Sequence, residues 1–178
     1  MYAADAEQDE LVELYALKPG GGLAVKLNQP FAADRAGVAD FQISPDGERV
    51  VYLGDHAART RWELYSVSIH GGPVVKISRP GSLALTQIDY RIAPDSRRVV
   101  FVDKLGVLRE LFVAALDGRP YARLSRGEGH VNAQSLRLLP DSSRAVFQSL
   151  AGTSSFTVRS VRLDGSEEPR ALSASVVS

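Results

Sequence analysis

Phe41-Gln42-Ile43-Ser44-Pro45-Asp46-Gly47, followed by Arg49-Val50-Val51-Tyr52, returns twice in this chain of 178 residues. The second copy reads Tyr90-Arg91-Ile92-Ala93-Pro94-Asp95-Ser96, then Arg98-Val99-Val100-Phe101. The third reads Leu136-Arg137-Leu138-Leu139-Pro140-Asp141-Ser142, then Arg144-Ala145-Val146-Phe147. The prolines stand 49 and then 46 residues apart. A second landmark keeps that period: Glu63-Leu64-Tyr65, Glu110-Leu111-Phe112 and, more loosely, Thr157-Val158-Arg159. Each is followed by a turn (His70-Gly71-Gly72, Asp117-Gly118, Asp164-Gly165) and a short run over 74–78, 121–125 and 170–174.

Every unit therefore reads as four short strands. In the first, Asp40 and Gln42 alternate with Phe41 and Ile43, the period of two that marks a strand. Proline then presets the first central position of a tight turn, and Asp or Gly completes it. The second strand, Val50 to Leu53 and Val99 to Val102, is nearly all apolar, as expected where both faces are covered. The third alternates again, with Leu64, Val67 and Ile69 at its apolar positions, and Asp-Gly or Gly-Gly turns it into the fourth. Four antiparallel strands repeating at this length predict the blades of a β-propeller. A β-sandwich would share the strand and turn content but not the constant register of the two landmarks.

Ser-Pro-Asp-Gly at 44–47, the Val-Val pair ending in an aromatic, Glu-Leu-Tyr at 63–65 and the Gly-Gly hairpin together resemble the WD-like repeat of TolB-type β-propellers. Related blades form the propeller attached to prolyl-oligopeptidase-type hydrolases. The resemblance covers nearly the whole chain, and it implies a protein- or peptide-binding scaffold working in the periplasm or outside the cell. Such blades serve many functions, so the resemblance speaks for fold more than for activity. Two departures stand out: Ser96 and Ser142 replace Gly47, and the third unit lacks Glu-Leu-Tyr, which reads as relaxed blades.

The expected fold is all-β, a partial propeller of about three and a half four-stranded blades, with an incomplete blade over 1–30 and blades over 31–80, 81–127 and 128–178. The half-blade follows from the repeat itself. Glu13-Leu14-Tyr15 falls on Glu63-Leu64-Tyr65, Tyr2 on Tyr52 and Asp5 on Asp55. A fragment of a longer propeller is the expectation, with open blade edges available for self-association.

Composition narrows the chemistry. Lys plus Arg number 21 and Asp plus Glu number 21, so the net charge is zero and no basic footprint for nucleic acid is present. No apolar run approaches a membrane span. There is no cysteine, which excludes disulfides, thiolate catalysis and Cys-based zinc sites. His56, His70 and His130 occupy different repeat positions, and no spacing puts two on one face. Asp5, Glu7, Asp9 and Glu10 lack the sharpening glycine and distant glutamate of a calcium loop. Gly152-Thr153-Ser154-Ser155-Phe156 lacks the second glycine of a nucleophile elbow, and Gly20-Gly21-Gly22 lies between strands as a hairpin. Neither catalysis nor a cofactor is therefore expected.

The remaining candidates are polar residues on the first strands, which line the channel of a propeller. Gln42, Arg91 and Arg137 share one repeat position, and Asp40, Asp89 and Ser135 another. They could receive a peptide or carboxylate, or simply pair between blades as Asp89 with Arg137. Arg59, Arg61 and Trp62 form a small cluster suited to either contact or loop packing. The expected role is a noncatalytic scaffold for a protein or peptide partner. The alternative is the propeller of a serine hydrolase whose catalytic domain lies outside these residues.

Overall fold

The computed structural model describes residues 1–5, 11–18, 20–32, 34–59, 61–79, 89–105, 107–118, 121–127, 129–151, 155–172 and 176–177. The described strands form four antiparallel sheets. The first holds β1 (Tyr2–Ala4), β2 (Glu13–Ala16) and β3 (Val25–Lys26), in that order. The second holds β4 (Val38–Ile43), β5 (Arg49–Gly54), β6 (Glu63–Ser68) and β7 (Val75–Lys76). The third holds β8 (Tyr90–Ile92), β9 (Arg98–Leu105), β10 (Leu108–Ala115) and β11 (Ala122–Arg123). The fourth holds β12 (His130–Leu138), β13 (Arg144–Ala151), β14 (Ser155–Arg162) and β15 (Arg170–Ala171), and β16 (Val176–Val177) also pairs with β14. Apart from β16, neighbours in sequence are neighbours in each sheet, so the main path of every sheet is a meander.

The Pro-Asp turns form as their residues require. Gly47, Ser96 and Ser142 each donate a backbone N–H to the carbonyl three residues earlier, at 2.8, 2.9 and 2.9 Å. The side chains of Asp46, Asp95 and Asp141 accept the N–H two residues on, and all three carboxyls lie below their usual range. The Ser44 hydroxyl and then this N–H lower Asp46. At Asp95 burial opposes the shift, and this N–H and Arg98 outweigh it. This N–H and the Ser143 hydroxyl lower Asp141.

The core lies between sheets, and period-two geometry explains how. Val50 and Tyr52 face the first sheet and pack with Leu14, Leu27 and Tyr65. Val51 and Leu53, one residue out of phase, face the third sheet and pack with Tyr90, Val99 and Phe101. The strand β9 repeats the device, with Val99 and Phe101 on one side and Val100 and Val102 on the other. The strands β5 and β9 are thus buried on both faces, as their composition predicted, whereas β13 alternates buried Ala145 and Phe147 with half-buried Val146 and Gln148.

The polar positions of the third strands are buried as well as the apolar ones. Glu63, Ser66 and Glu110 are fully buried, so β6 and β10 do not offer a polar face to water. Sheets packed on both sides leave no solvent face, and the polar residues are retained because each is bonded. Ser66 Oγ accepts from Arg49 Nε at 2.9 Å, and Glu63 accepts from Tyr65 and Lys76.

Ser96 and Ser142 are also more than relaxed substitutes for glycine. Both hold φ near +58°, a conformation that L-residues adopt only at a cost. Their hydroxyls offset it across sheets: Ser96 Oγ accepts Asp46 N–H at 3.0 Å, and Ser142 Oγ accepts Asp95 N–H at 2.8 Å. Each serine ties its own turn to the same turn of the preceding sheet.

Candidate binding surface on the first strands

The strands β4, β8 and β12 each stand at one end of their sheet, and neighbouring ones meet. Tyr90 on β8 organises the meeting of the second and third sheets. Its carbonyl accepts from Gln42 Nε2 at 3.2 Å and from Arg91 Nη1 at 2.8 Å. Its buried hydroxyl lies 3.4 Å from the Val51 carbonyl. Burial first, and the Asp40 carboxylate second, push the Tyr90 phenol well above its usual pKa, so it stays a neutral donor. Asp40, Gln42 and Arg91 are therefore gathered around one residue.

Arg137 is placed differently. The ladder between β12 and β13 is irregular between Asn132 and Arg137, and Arg137 Nη1 donates to Gln134 O at 2.9 Å and Leu136 O at 2.8 Å. Asp89 uses its backbone carbonyl to accept Val102 N–H. Among the described residues no ion pair joins Asp89 to Arg137, and neither Arg91 nor Arg137 holds a carboxylate. Both are exposed, each with its guanidinium anchored by backbone carbonyls.

Sequence reasoning missed Tyr90. The available signal was a hydroxyl at a repeat position otherwise filled by Phe41 and Leu136. Of the arginine cluster, Arg61 Nε lies 3.5 Å from Glu63, and Trp62 packs on the core, so both serve the fold. The Gly152–Ser154 stretch and three of the four acidic residues near the start (Glu7, Asp9, Glu10) lie outside the described residues. Among the described residues, no three His, Cys, Asp or Glu side chains converge on a metal-sized site.

His56 belongs to the packing between the first two sheets. Its ring stacks on Phe31 at 3.8 Å between centroids, meets Tyr65 edge-on, and places Nε2 3.0 Å from the Tyr52 hydroxyl. Burial lowers its pKa to about 4, against the opposing pull of Asp55, the Pro30 carbonyl and Glu63. The folded state thus prefers the neutral ring, while the unfolded chain protonates near 6.5. This contribution is complete above pH 6.5 and is lost as pH falls towards 4. Stability is expected to drop by about 1–2 kcal/mol over that window, the full shift being reduced because the ring is partly exposed. Urea unfolding at stepped pH should show this slope, and His56→Phe should flatten it. An unchanged slope in the variant would refute the assignment.

No protein-family model matches the sequence, and no curated protein matches it. Solved structures do. A structure assigned as TolB from Agrobacterium tumefaciens aligns with 94% of this chain at a TM-score of 0.61 and 20% identity. The chain has a β-propeller fold. It spans 56% of that TolB chain. A prolyl endopeptidase aligns with 94% of the chain at a TM-score of 0.61 and 17% identity, covering 27% of the enzyme. The nidogen/laminin complex aligns with 93% of the chain at a TM-score of 0.54 and 16% identity, covering 59% of its matched partner. At these identities the likeness is one of fold. It makes the meander sheets propeller blades and the strands β4, β8 and β12 the innermost strands. No described helix is long and apolar enough to cross a membrane.

Proposed function

We propose that this propeller segment is a noncatalytic scaffold that binds a protein or peptide through its innermost strands, using Asp40, Gln42, Asp89, Arg91 and Arg137. The observation that carries the reading is the state of the two arginines. Arg91 and Arg137 are pinned by backbone carbonyls, and among the described residues neither is neutralised by a carboxylate. An oriented guanidinium with unused donors suits a carboxylate or peptide carbonyl. Asp40 and Gln42 beside Arg91 add an acceptor and an amide, the mixture that an extended peptide needs. Nidogen, a neighbour in fold, is found in complex with laminin, which is consistent with a partner-binding propeller. A setting in the periplasm or outside the cell forms part of the same reading.

Screening the protein against an array of peptides with acidic and apolar residues tests the idea. Arg91→Glu and Arg137→Glu should each weaken the best binders about tenfold or more, since charge reversal replaces attraction with repulsion. Binders indifferent to both changes would overturn the assignment. The second reading, the propeller domain of a prolyl-oligopeptidase-type hydrolase, is favoured by the likeness to a prolyl endopeptidase. Hydrolysis of proline-containing peptides by this chain alone would refute the noncatalytic role.

A further inference from the structure

The repeats place an arginine at the start of each second strand: Arg49, Arg98 and Arg144. Two of them close on a carboxylate. Arg98 Nη2 lies 2.6 Å from Asp95 Oδ2, and Arg144 pairs with Glu167. Arg49 differs. Its Nε donates to Ser66 Oγ at 2.9 Å, as Arg144 Nε does to Ser160 at 2.7 Å, but among the described residues no carboxylate meets its remaining donors. Those donors border a cleft of about 600 Å³ between the second and third sheets, which Arg97, Arg98, Ser96 and Asp117 also line. The Arg97 side chain is exposed and makes no hydrogen bond or ion pair among the described residues. Asp95, also in the cleft, is engaged by Arg98.

A second depression lies on the first-sheet side of the second sheet, with Ile43 and Arg49 flanking the turn over 44–48 that separates it from the cleft. It is a groove of about 400 Å³ between the first and second sheets, with Leu17, Leu23 and Val25 on one wall and Ile43 and Ile69 on the other. Leu23 is 94% exposed, and Leu17 and Ile43 are close to half exposed. A cluster of large apolar side chains in one surface concavity marks a contact site rather than scattered exposure. Ile69 N–H donates to Glu48 O at 3.0 Å, so the apolar wall and Arg49 are carried by one rigid turn. Glu48 itself faces His70 at 3.9 Å on the groove side. Lys18 and His70 also line the groove, so its apolar walls mark it for a side chain, while Arg49 and Arg97 mark the cleft for a carboxylate.

We propose that this turn face binds a partner polypeptide carrying a carboxylate next to an apolar side chain. The carboxylate enters the cleft and takes, on Arg49, the place that Asp95 and Glu167 occupy on its sibling arginines, with Arg97 as second donor. The apolar side chain lies in the groove. Arginine favours a carboxylate here because its planar donors bind both oxygens at once. The surface shares no residue with the innermost-strand surface and stands or falls independently of it.

The test uses a fluorescein-labelled peptide of alternating Leu and Glu, titrated with the full chain and followed by anisotropy. Saturable binding is expected, weakened about tenfold by Arg49→Gln and about fivefold by Arg97→Gln. Ile43→Ser should also weaken it, and a peptide of alternating Leu and Gln should not bind. Arg97→Gln guards against misfolding, since that side chain supports nothing in the fold, and Arg109→Gln, at an exposed position near the start of β10, should leave binding unchanged. Absence of saturable binding, equal binding of the Gln peptide, or indifference to both arginine variants would overturn the proposal. So would a loss confined to Arg91→Glu, which would place the peptide on the innermost strands. Displacement by inorganic phosphate but not by acetate would overturn the choice of a carboxylate.

Discussion

Gly37→Ala is expected to leave the protein unfolded or at least about 4 kcal/mol less stable. Gly37 holds φ +93°, and a Cβ added there would stand 2.0 Å from the Val12 carbonyl oxygen. Backbone cannot give way as a flexible side chain can. The close approach is itself the junction of the first two sheets. Val12 and Gly37 form a parallel bridge, with Val12 N–H donating to Ala36 O at 3.2 Å and Val38 N–H to Val12 O at 2.8 Å. The buried Asp55 carboxylate accepts the Ala36 and Gly37 N–H groups, both at 3.0 Å. A methyl group must break either the bridge or this carboxylate clamp, in addition to the strain of its own φ. Gly72 provides the control, since it holds φ +110° with no atom within 4 Å of its Cβ site. Gly72→Ala should cost only about 1–2 kcal/mol, the conformational penalty alone. Urea unfolding followed by the fluorescence of Trp62, the single tryptophan, separates the two. A Gly37→Ala protein within about 1 kcal/mol of the Gly72→Ala protein would refute this account.

Glu63→Ala is expected to cost about 3–5 kcal/mol, because it strands the buried Tyr65 hydroxyl and leaves two cations without their carboxylate rather than removing one bond. Glu63 is fully buried; its Oε2 accepts from the Tyr65 hydroxyl at 2.8 Å and its Oε1 from Lys76 at 2.7 Å. Arg61 approaches to 3.5 Å. The first sheet repeats the arrangement with Glu13, Tyr15 and Lys26. The third repeats it with Glu110 and Arg123, and there Ser125 supplies the hydroxyl that Phe112 lacks. Burial and the adjacent carboxylate together hold the Tyr65 phenol well above its usual pKa, so it remains the donor that Glu63 needs. Without Lys76 the buried Glu63 carboxylate still keeps the Tyr65 hydroxyl and the approaching Arg61, so Lys76→Ala should cost less than Glu63→Ala. The double variant should fall short of the sum of the two by at least about 1 kcal/mol. Additive losses would show that the pair is not coupled. The fourth sheet shows a different solution, with Thr157 at the glutamate position and Arg159 Nε turned to Ser149 Oγ at 2.8 Å.

The Glu-Leu-aromatic landmark was legible as a register mark, but its burial was not. Glutamate in an alternating strand ordinarily faces water, and only packing on both sides of the sheet turns Glu63 and Glu110 inward. The serines at 96 and 142 were similarly visible as departures from glycine. Their bonds to Asp46 and Asp95 span 50 and 47 residues, a separation at which local pattern carries no information. At the innermost strands, the repeat aligned Gln42, Arg91 and Arg137 correctly as equivalent positions. It could not show that Asp40, Gln42 and Arg91 converge on Tyr90 while Arg137 binds its own strand.

The sequence by itself determined the four-strand period, the all-β class and the turn chemistry, because each depends on residues a few positions apart and on the alternation of side chains across a strand. The tertiary structure alone decided which polar groups are buried and paired and which are left with unused donors. That depends on how one sheet lies against the next. Arg49, Arg98 and Arg144 are the same residue in the same repeat position, yet only the neighbouring carboxylates, set by packing between and within sheets, distinguish the two that are neutralised from the one that borders an open cleft.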